Sequence, residues 1–188
     1  TLFERHFDTI ARFVKNKVSH QGELEDLVQQ VFLRCVEGRD RFEGRSSFRT
    51  YLFAVAHNTL LEHFRRRRRT GGRVDTSVTS VADLDPSPSM IVALRQEQQQ
   101  VVDALRRLPL DYQIALELHY WERLSGSEMA EVLDVPEGTV RNRLRQGKQL
   151  LAKKIRQQAL TGVDEDLGDL EEWIASIRET VQTRSDDD

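Results

Sequence analysis

Cysteine, strand-like alternation and long apolar runs are all scarce in this chain, and each scarcity removes a class of protein. One cysteine, Cys35, stands among 188 residues. No disulfide can form within the chain, and no Cys/His cluster offers zinc-ligand spacing. No apolar run approaches the ~20 residues of a membrane-spanning helix, so no membrane insertion is expected. No signal-peptide pattern opens the sequence, and a reducing, cytoplasmic setting fits best. A Gly-rich phosphate loop, a nucleophile elbow and paired carboxylates are also missing. The histidines His6, His20, His57, His63 and His119 are scattered, with His57 and His63 six apart, off ligand spacing on a helix. The chain is therefore expected to be no enzyme by itself, with no cofactor and no bound metal.

What is present is helical periodicity and segregated charge. The net charge is only −3, but it conceals blocks of opposite sign. Residues 39–73 carry ten arginines against three acids, a local +7. Residues 141–156 carry seven Lys/Arg and no acid, whereas residues 159–188 carry ten acids against two arginines.

Apolar residues recur at three- and four-residue spacing almost throughout, which predicts an all-α protein. Phe3, Phe7, Ile10, Val14 and Val18 share one face of a first helix. After a break at 19–22, Leu24, Leu27, Val28, Val31, Phe32, Cys35 and Val36 form the stripe of a second, which Gly38 can end. The stripe predicts a buried thiol at Cys35. Ser46 and Ser47 are N-cap candidates for a third helix, with its stripe running from Phe48 to Phe64 and its end in Arg65 to Arg69. Residues 70–89 are rich in Ser, Thr, Gly, Pro and Asp and read as a flexible linker. Met90 to Leu108 is helical again, with Ile91, Leu94, Val101, Leu105 and Leu108 inward. Pro109 suits the start of a helix running to Trp121. Residues 127–133 and 138 onward then form two helices across a tight connection at Asp134 to Glu137, a helix-turn-helix. In the acidic tail, Leu167, Leu170, Trp173, Ile174, Ile177 and Val181 form one more apolar stripe.

Three constellations carry chemistry. In the second helix of the helix-turn-helix, Val140, Leu144 and Leu151 face inward. The opposite face offers Arg141, Asn142, Arg145 and Gln146, flanked by Arg143 and Lys148. Arg can bond guanine edges in pairs and Asn or Gln can bond adenine; all can hold phosphates. A basic solvated helix is the competing reading, and seven cations in sixteen residues favour DNA. Residues 42–51, FEGRSSFRTY, interleave aromatics with Arg, a pattern that suits unstacked bases on a single strand; Phe48 and Tyr51 fit the core stripe equally well. Glu25, Asp26, Gln29 and Gln30 form an acidic-amide face able to dock a basic partner helix, or simply a solvated one.

These residues in this order, DLVQQVF, FEGRSSFRTYLFAVAHN, the Arg run, a linker and LRRLPLDYQIALELHYWERLSGSEMAEVLDVPEGTVRNRL, resemble an extracytoplasmic-function sigma factor over about residues 1–158. The resemblance implies two small helical domains: sigma region two over 1–70 and the region-four helix-turn-helix over 90–158. A flexible linker at 71–89 would join them, and an acidic helical extension at 159–188 would follow. Asp26, Gln29 and Gln30 would dock on the β′ clamp helices of core RNA polymerase, with the β subunit a further partner. Arg45, Ser46, Ser47 and Arg49 would capture a flipped base of the minus-ten element. Arg49 again, with Tyr51, Asn58 and the arginine run, including Arg65, Arg66 and Arg67, would track the DNA as it opens. Thr139, Arg141, Asn142, Arg143, Arg145, Gln146 and Lys148 would read the minus-thirty-five element as a duplex. An anti-sigma factor is a further partner that the resemblance allows. The chain departs from the family at Tyr51, where Trp is common, and at Gln146-Gly147-Lys148, where Arg-Ala-Arg is common. Gly147 is expected to weaken its helix by up to about 1 kcal/mol. The extension has no counterpart in the minimal family pattern; it could mask the recognition helix, dock on a partner or complete the second core.

Two other functions remain open at the sequence level: a helix-turn-helix regulator that does not deliver polymerase, and a protein-interaction module that needs no DNA.

Overall fold

A computed structural model describes residues 2–71, apart from 16, 19, 40, 41, 43 and 45, and residues 96–158. The expected linker, Ile91, Leu94 and the acidic tail lie outside the described residues. Among the described residues seven helices follow one another: α1 Leu2–Lys15, α2 Gln21–Glu37, α3 Phe48–Gly71, α4 Gln96–Arg106, α5 Leu110–Tyr120, α6 Gly126–Leu133 and α7 Glu137–Gln158. No strand occurs among the described residues, and the all-α expectation holds.

Local chemistry sets the boundaries. The Ser47 hydroxyl accepts from the Thr50 amide (3.0 Å) and caps α3. Ser125 and Glu128 form a reciprocal capping box that starts α6. Asp134 ends α6 in the left-handed conformation (φ 51°), making the turn of the helix-turn-helix. Pro109 stands one position outside α5, at its N-cap. Gly38 does cap α2, but at φ −86°, so left-handed backbone is not what calls for glycine. A Cβ at Gly38 would strike the Tyr51 hydroxyl. Gly147 has a similar reason: a Cβ there would lie 3.3 Å from Leu116 and 3.4 Å from Tyr112. The missing Cβ at Gly147, which costs helix propensity, leaves room for α7 to approach α5 closely.

Among the described residues the apolar stripes meet as their periodicity predicts, with two exceptions. Ile10, Phe13 and Val14 of α1, the α2 stripe, and Leu52, Phe53, Ala56, Leu60 and Phe64 of α3 are buried together. Cys35 lies among them, and burial pushes its thiol up to about 11. Val36, expected on the buried stripe, is 58% exposed, and Phe7 is 40% exposed. α1 and α3 cover only one side of α2, and Val36 points past the edge of that contact. Phe7 instead stacks on Phe32 at 6.0 Å between ring centres. Phe13, absent from the expected stripe, replaces it inside and meets Phe53 edge-on at 5.3 Å.

Val101, Val102, Ala104, Leu105 and Leu108 pack with Leu116, Leu151 and Ile155 as the core of α4, α5 and α7. The first core, however, does not stop at α3. Leu110, Ile114, Ala115, Leu118, Leu124, Met129, Val132, Leu133 and Val140 belong to it, with α6 lying directly against α3. The two halves are packed together around shared apolar side chains.

Candidate nucleic-acid interface

The helix-turn-helix sorts the polar residues of α7 by what lies beneath them. Val140 is buried and Leu144 half-buried, which fixes the rotation of the helix. Arg141, Asn142 and Arg145 then face solvent. The Arg145 guanidinium donates to the Asn142 side-chain oxygen (3.0 Å), which holds the pair side by side. Gln149 and Lys153 continue this exposed face. Gln149 is a candidate that the sequence reading missed; its distance of seven from Asn142 was the available signal.

The other expected readers are engaged with the rest of the fold. Arg143 is half-buried and donates to the Asp111 carboxylate at 2.9 Å. Gln146 accepts a 2.7 Å hydrogen bond from the Tyr112 hydroxyl, which turns its amide back toward α5. The Lys148 ammonium lies 5.3 Å from the centre of the Tyr120 ring. Thr139 is half-buried in the first turn of α7.

The second basic region begins with a platform of rings. Phe42 lies 5.1 Å from Tyr51 and 6.2 Å from Phe48, centre to centre. Ser46 is half-buried and Ser47 exposed at the edge of this platform, and Arg45 lies outside the described residues. Tyr51, Asn58 and Arg65 follow at seven-residue spacing along α3, with Asn58 and Arg65 exposed. Within the arginine run, Arg66 donates to Glu62, which also receives Arg34. Arg67 reaches Glu23 at 3.5 Å. The Arg34 and Arg66 guanidiniums hold the Glu62 carboxyl below its usual range. Arg69 is exposed at the helix end. Arg49 is placed differently: it is half-buried and donates to both the backbone carbonyl and the carboxylate of Glu122, each at 2.7 Å.

On α2, Asp26, Gln29 and Gln30 are exposed on the side away from α3, as the spacing predicts. Leu33 and Val36, both 58% exposed, extend the same strip. An acidic-amide surface thus has an apolar end, which the sequence reading did not include.

A basic helix-turn-helix and a basic, aromatic-lined helix coexist in one chain, and both match known sequence families. Sigma-70 region 2 matches residues 2–70 and Sigma-70, region 4 matches residues 98–151. The ECF RNA polymerase sigma-E factor of Haemophilus influenzae is 27% identical over 164 residues, covering 82% of this chain and 86% of that one. The chain belongs to the extracytoplasmic-function sigma factors. Another relative of this sigma factor is SigX of Bacillus subtilis, 26% identical over 81% of this chain and 80% of that protein. Solved structures share the fold. The sigma factor RpoE of Bartonella quintana, in complex with the anti-sigma factor NepR, superposes with a TM-score of 0.65 at 22% identity, covering 82% of this chain and 94% of that one. CnrH, in complex with the cytosolic domain of CnrY, gives 0.59 at 19% identity, covering 84% and 87%. Among the described residues of the sigma factor, no helix is long and apolar enough to cross a membrane.

Proposed function

We infer that this sigma factor binds core RNA polymerase, brings it to promoters and directs DNA opening and transcription initiation. The observation that carries the reading is the pairing of two Sigma-70 regions in order, 2–70 and 98–151, with an exposed basic face on the second helix of the helix-turn-helix. A regulator acting through its helix-turn-helix alone has no use for the first region. Catalysis belongs to the polymerase, and the chain works in the cytoplasm where the polymerase is.

The region-four unit takes the minus-thirty-five element as duplex. Arg141, Asn142 and Arg145 reach base edges in the major groove, since they stand clear of the protein. Thr139, Arg143 and Lys148 contact phosphates and set the register of the helix. Gln146 contributes through the Tyr112 contact that orients it. The region-two unit takes the minus-ten element. Arg45, Ser46, Ser47 and Arg49 receive a flipped base, and Tyr51 offers the ring face on which it stacks. Asn58, Arg65, Arg66 and Arg67 follow the strand along α3. Asp26, Gln29 and Gln30, with Leu33 and Val36, dock on the β′ clamp helices, and the β subunit receives the region-four unit. An anti-sigma factor competes for these surfaces.

Purified chain mixed with core RNA polymerase and genomic promoter fragments tests the reading. New start sites are the expected result. Failure to bind core, with helix-turn-helix DNA binding intact, would establish a polymerase-independent regulator instead.

A further inference from the structure

The recognition helix α7 carries two amides toward DNA, Asn142 and Gln146. An amide pairs with adenine through both of its polar atoms: the oxygen accepts from the 6-amino group while the nitrogen donates to N7. In this chain both amide oxygens already have donors. The Arg145 guanidinium donates to Asn142 Oδ1 at 3.0 Å. The Tyr112 hydroxyl of α5 donates to Gln146 Oε1 at 2.7 Å. One donor comes from α7 itself and the other from a different helix.

Packing holds the Tyr112 contact in place. A Cβ at Gly147 would lie 3.4 Å from Tyr112 and 3.3 Å from the buried Leu116, so the bare glycine lets the two helices close to this distance. Asp111, next to Tyr112, accepts from Arg143 at 2.9 Å. Consecutive residues at the start of α5 thus grip α7 at two points one turn apart, Arg143 and Gln146. Both are half-buried, whereas Arg141, Asn142 and Arg145 face solvent. The polar atoms left open from Arg141 to Gln146 are all donors: guanidinium N–H groups and the two amide nitrogens. In the major groove guanine shows two acceptors, N7 and O6, side by side. Adenine and cytosine each show an amino hydrogen, which needs an acceptor.

We propose that Arg145 and Tyr112 withdraw the amide oxygens of Asn142 and Gln146 from base readout, so that residues 141–146 form a donor-only face that selects guanine edges and does not pair with adenine. Tyr112 is then a positioning residue for promoter specificity: it touches no DNA and acts through Gln146. The inference rests on the sigma-factor reading and adds the base chemistry that this reading leaves open. A Gln146 without the Tyr112 hydroxyl is free to present oxygen and nitrogen together, which puts an acceptor back on the face.

Base analogues test it on the full chain, titrated with the duplex that it selects from a randomised library. One position at a time, guanine is replaced by 7-deazaguanine, which lacks the N7 acceptor. Adenine is replaced by N6-methyladenine, whose methyl takes the place of the groove-facing amino hydrogen. At least one 7-deazaguanine is expected to weaken binding about tenfold, and Arg145→Ala to remove most of that penalty. N6-methyladenine is expected to have the same effect on the natural chain as on Asn142→Ala and Gln146→Ala. Tyr112→Phe keeps the ring beside Gly147 and removes only the hydroxyl. It is expected to select adenine at one new position, with an N6-methyl penalty there that disappears when Gln146→Ala is added. An adenine penalty in the natural chain that vanishes in Asn142→Ala or Gln146→Ala would overturn the donor-only face. A Tyr112→Phe variant that selects the same sites, or loses affinity equally on every duplex, would overturn the role of Tyr112. Selection of no duplex at all would instead sink the sigma-factor reading, which initiation with core polymerase judges separately.

Discussion

Arg145 and Gln146 are neighbours in sequence with opposite situations. Arg145 reaches solvent beside Asn142, whereas Gln146 is bonded to Tyr112. Arg145→Ala should therefore cost about 1–3 kcal/mol of binding to the cognate minus-thirty-five duplex and relax the preference at one base position. Competition binding against a randomised site checks both. An equal loss on every sequence would make Arg145 a phosphate contact. Arg143 shows the limit of reading a residue type: its charge suits DNA, but part of it serves to join α7 to Asp111 of α5. Cys35, by contrast, was fully legible, because a thiol on an apolar stripe has one natural place.

Among the elements, α2 and α3 divide their surfaces according to what covers them. Leu33 and Val36 are apolar but uncovered, next to Asp26, Gln29 and Gln30. Leu33→Asp should weaken core-polymerase binding at least tenfold, about 1.4 kcal/mol, while binding of minus-thirty-five duplex stays unchanged. Pull-down against core and a duplex titration measure the two separately; an unaffected core affinity would remove α2 from the docking surface. The arginine run of α3 is also less uniform than its letters. Arg66 and Arg67 share acids with the α2–α3 packing, whereas Arg65 and Arg69 extend into solvent. Exposed pairs of this kind contribute little stability, so even the paired arginines can exchange their acids for phosphate.

At the scale of the whole molecule, the shared core makes stability depend on pH. His57 of α3 is buried, and loss of hydration lowers its pKa to about 4. Asp111 opposes that shift, and Arg143 and Lys17 reinforce it. The unfolded chain takes up this proton near pH 6.5 and the folded one only near 4. The histidine therefore leaves stability undiminished above about pH 6.5, and stability falls as pH drops toward 4, by on the order of 3 kcal/mol. His63, lowered mainly by burial, acts in the same direction. Glu122 acts in the other, because its raised pKa is relieved by protonation in acid. Chemical denaturation from pH 7 to pH 4.5 should show the stability of the natural chain falling relative to His57→Gln. A constant difference would mean that His57 is not the titrating group.

The sequence by itself determined the helices, their caps, the helix-turn-helix and the order of the two regions. These follow from 3.6-residue periodicity and from side chains within four positions of one another. The Ser125–Glu128 capping box and the Asp26–Gln29–Gln30 face are local in that sense. Tertiary structure decided which polar residue on a helix meets solvent and which meets another helix, as with Arg145 against Gln146. It also decided why Gly38 and Gly147 are glycines, since Tyr51 and Leu116 approach them from other helices. It alone paired Lys17 with Glu117 and closed the two halves on one core. Periodicity shows which residues share a face, but the partner of that face lies up to a hundred residues away, and only packing selects it.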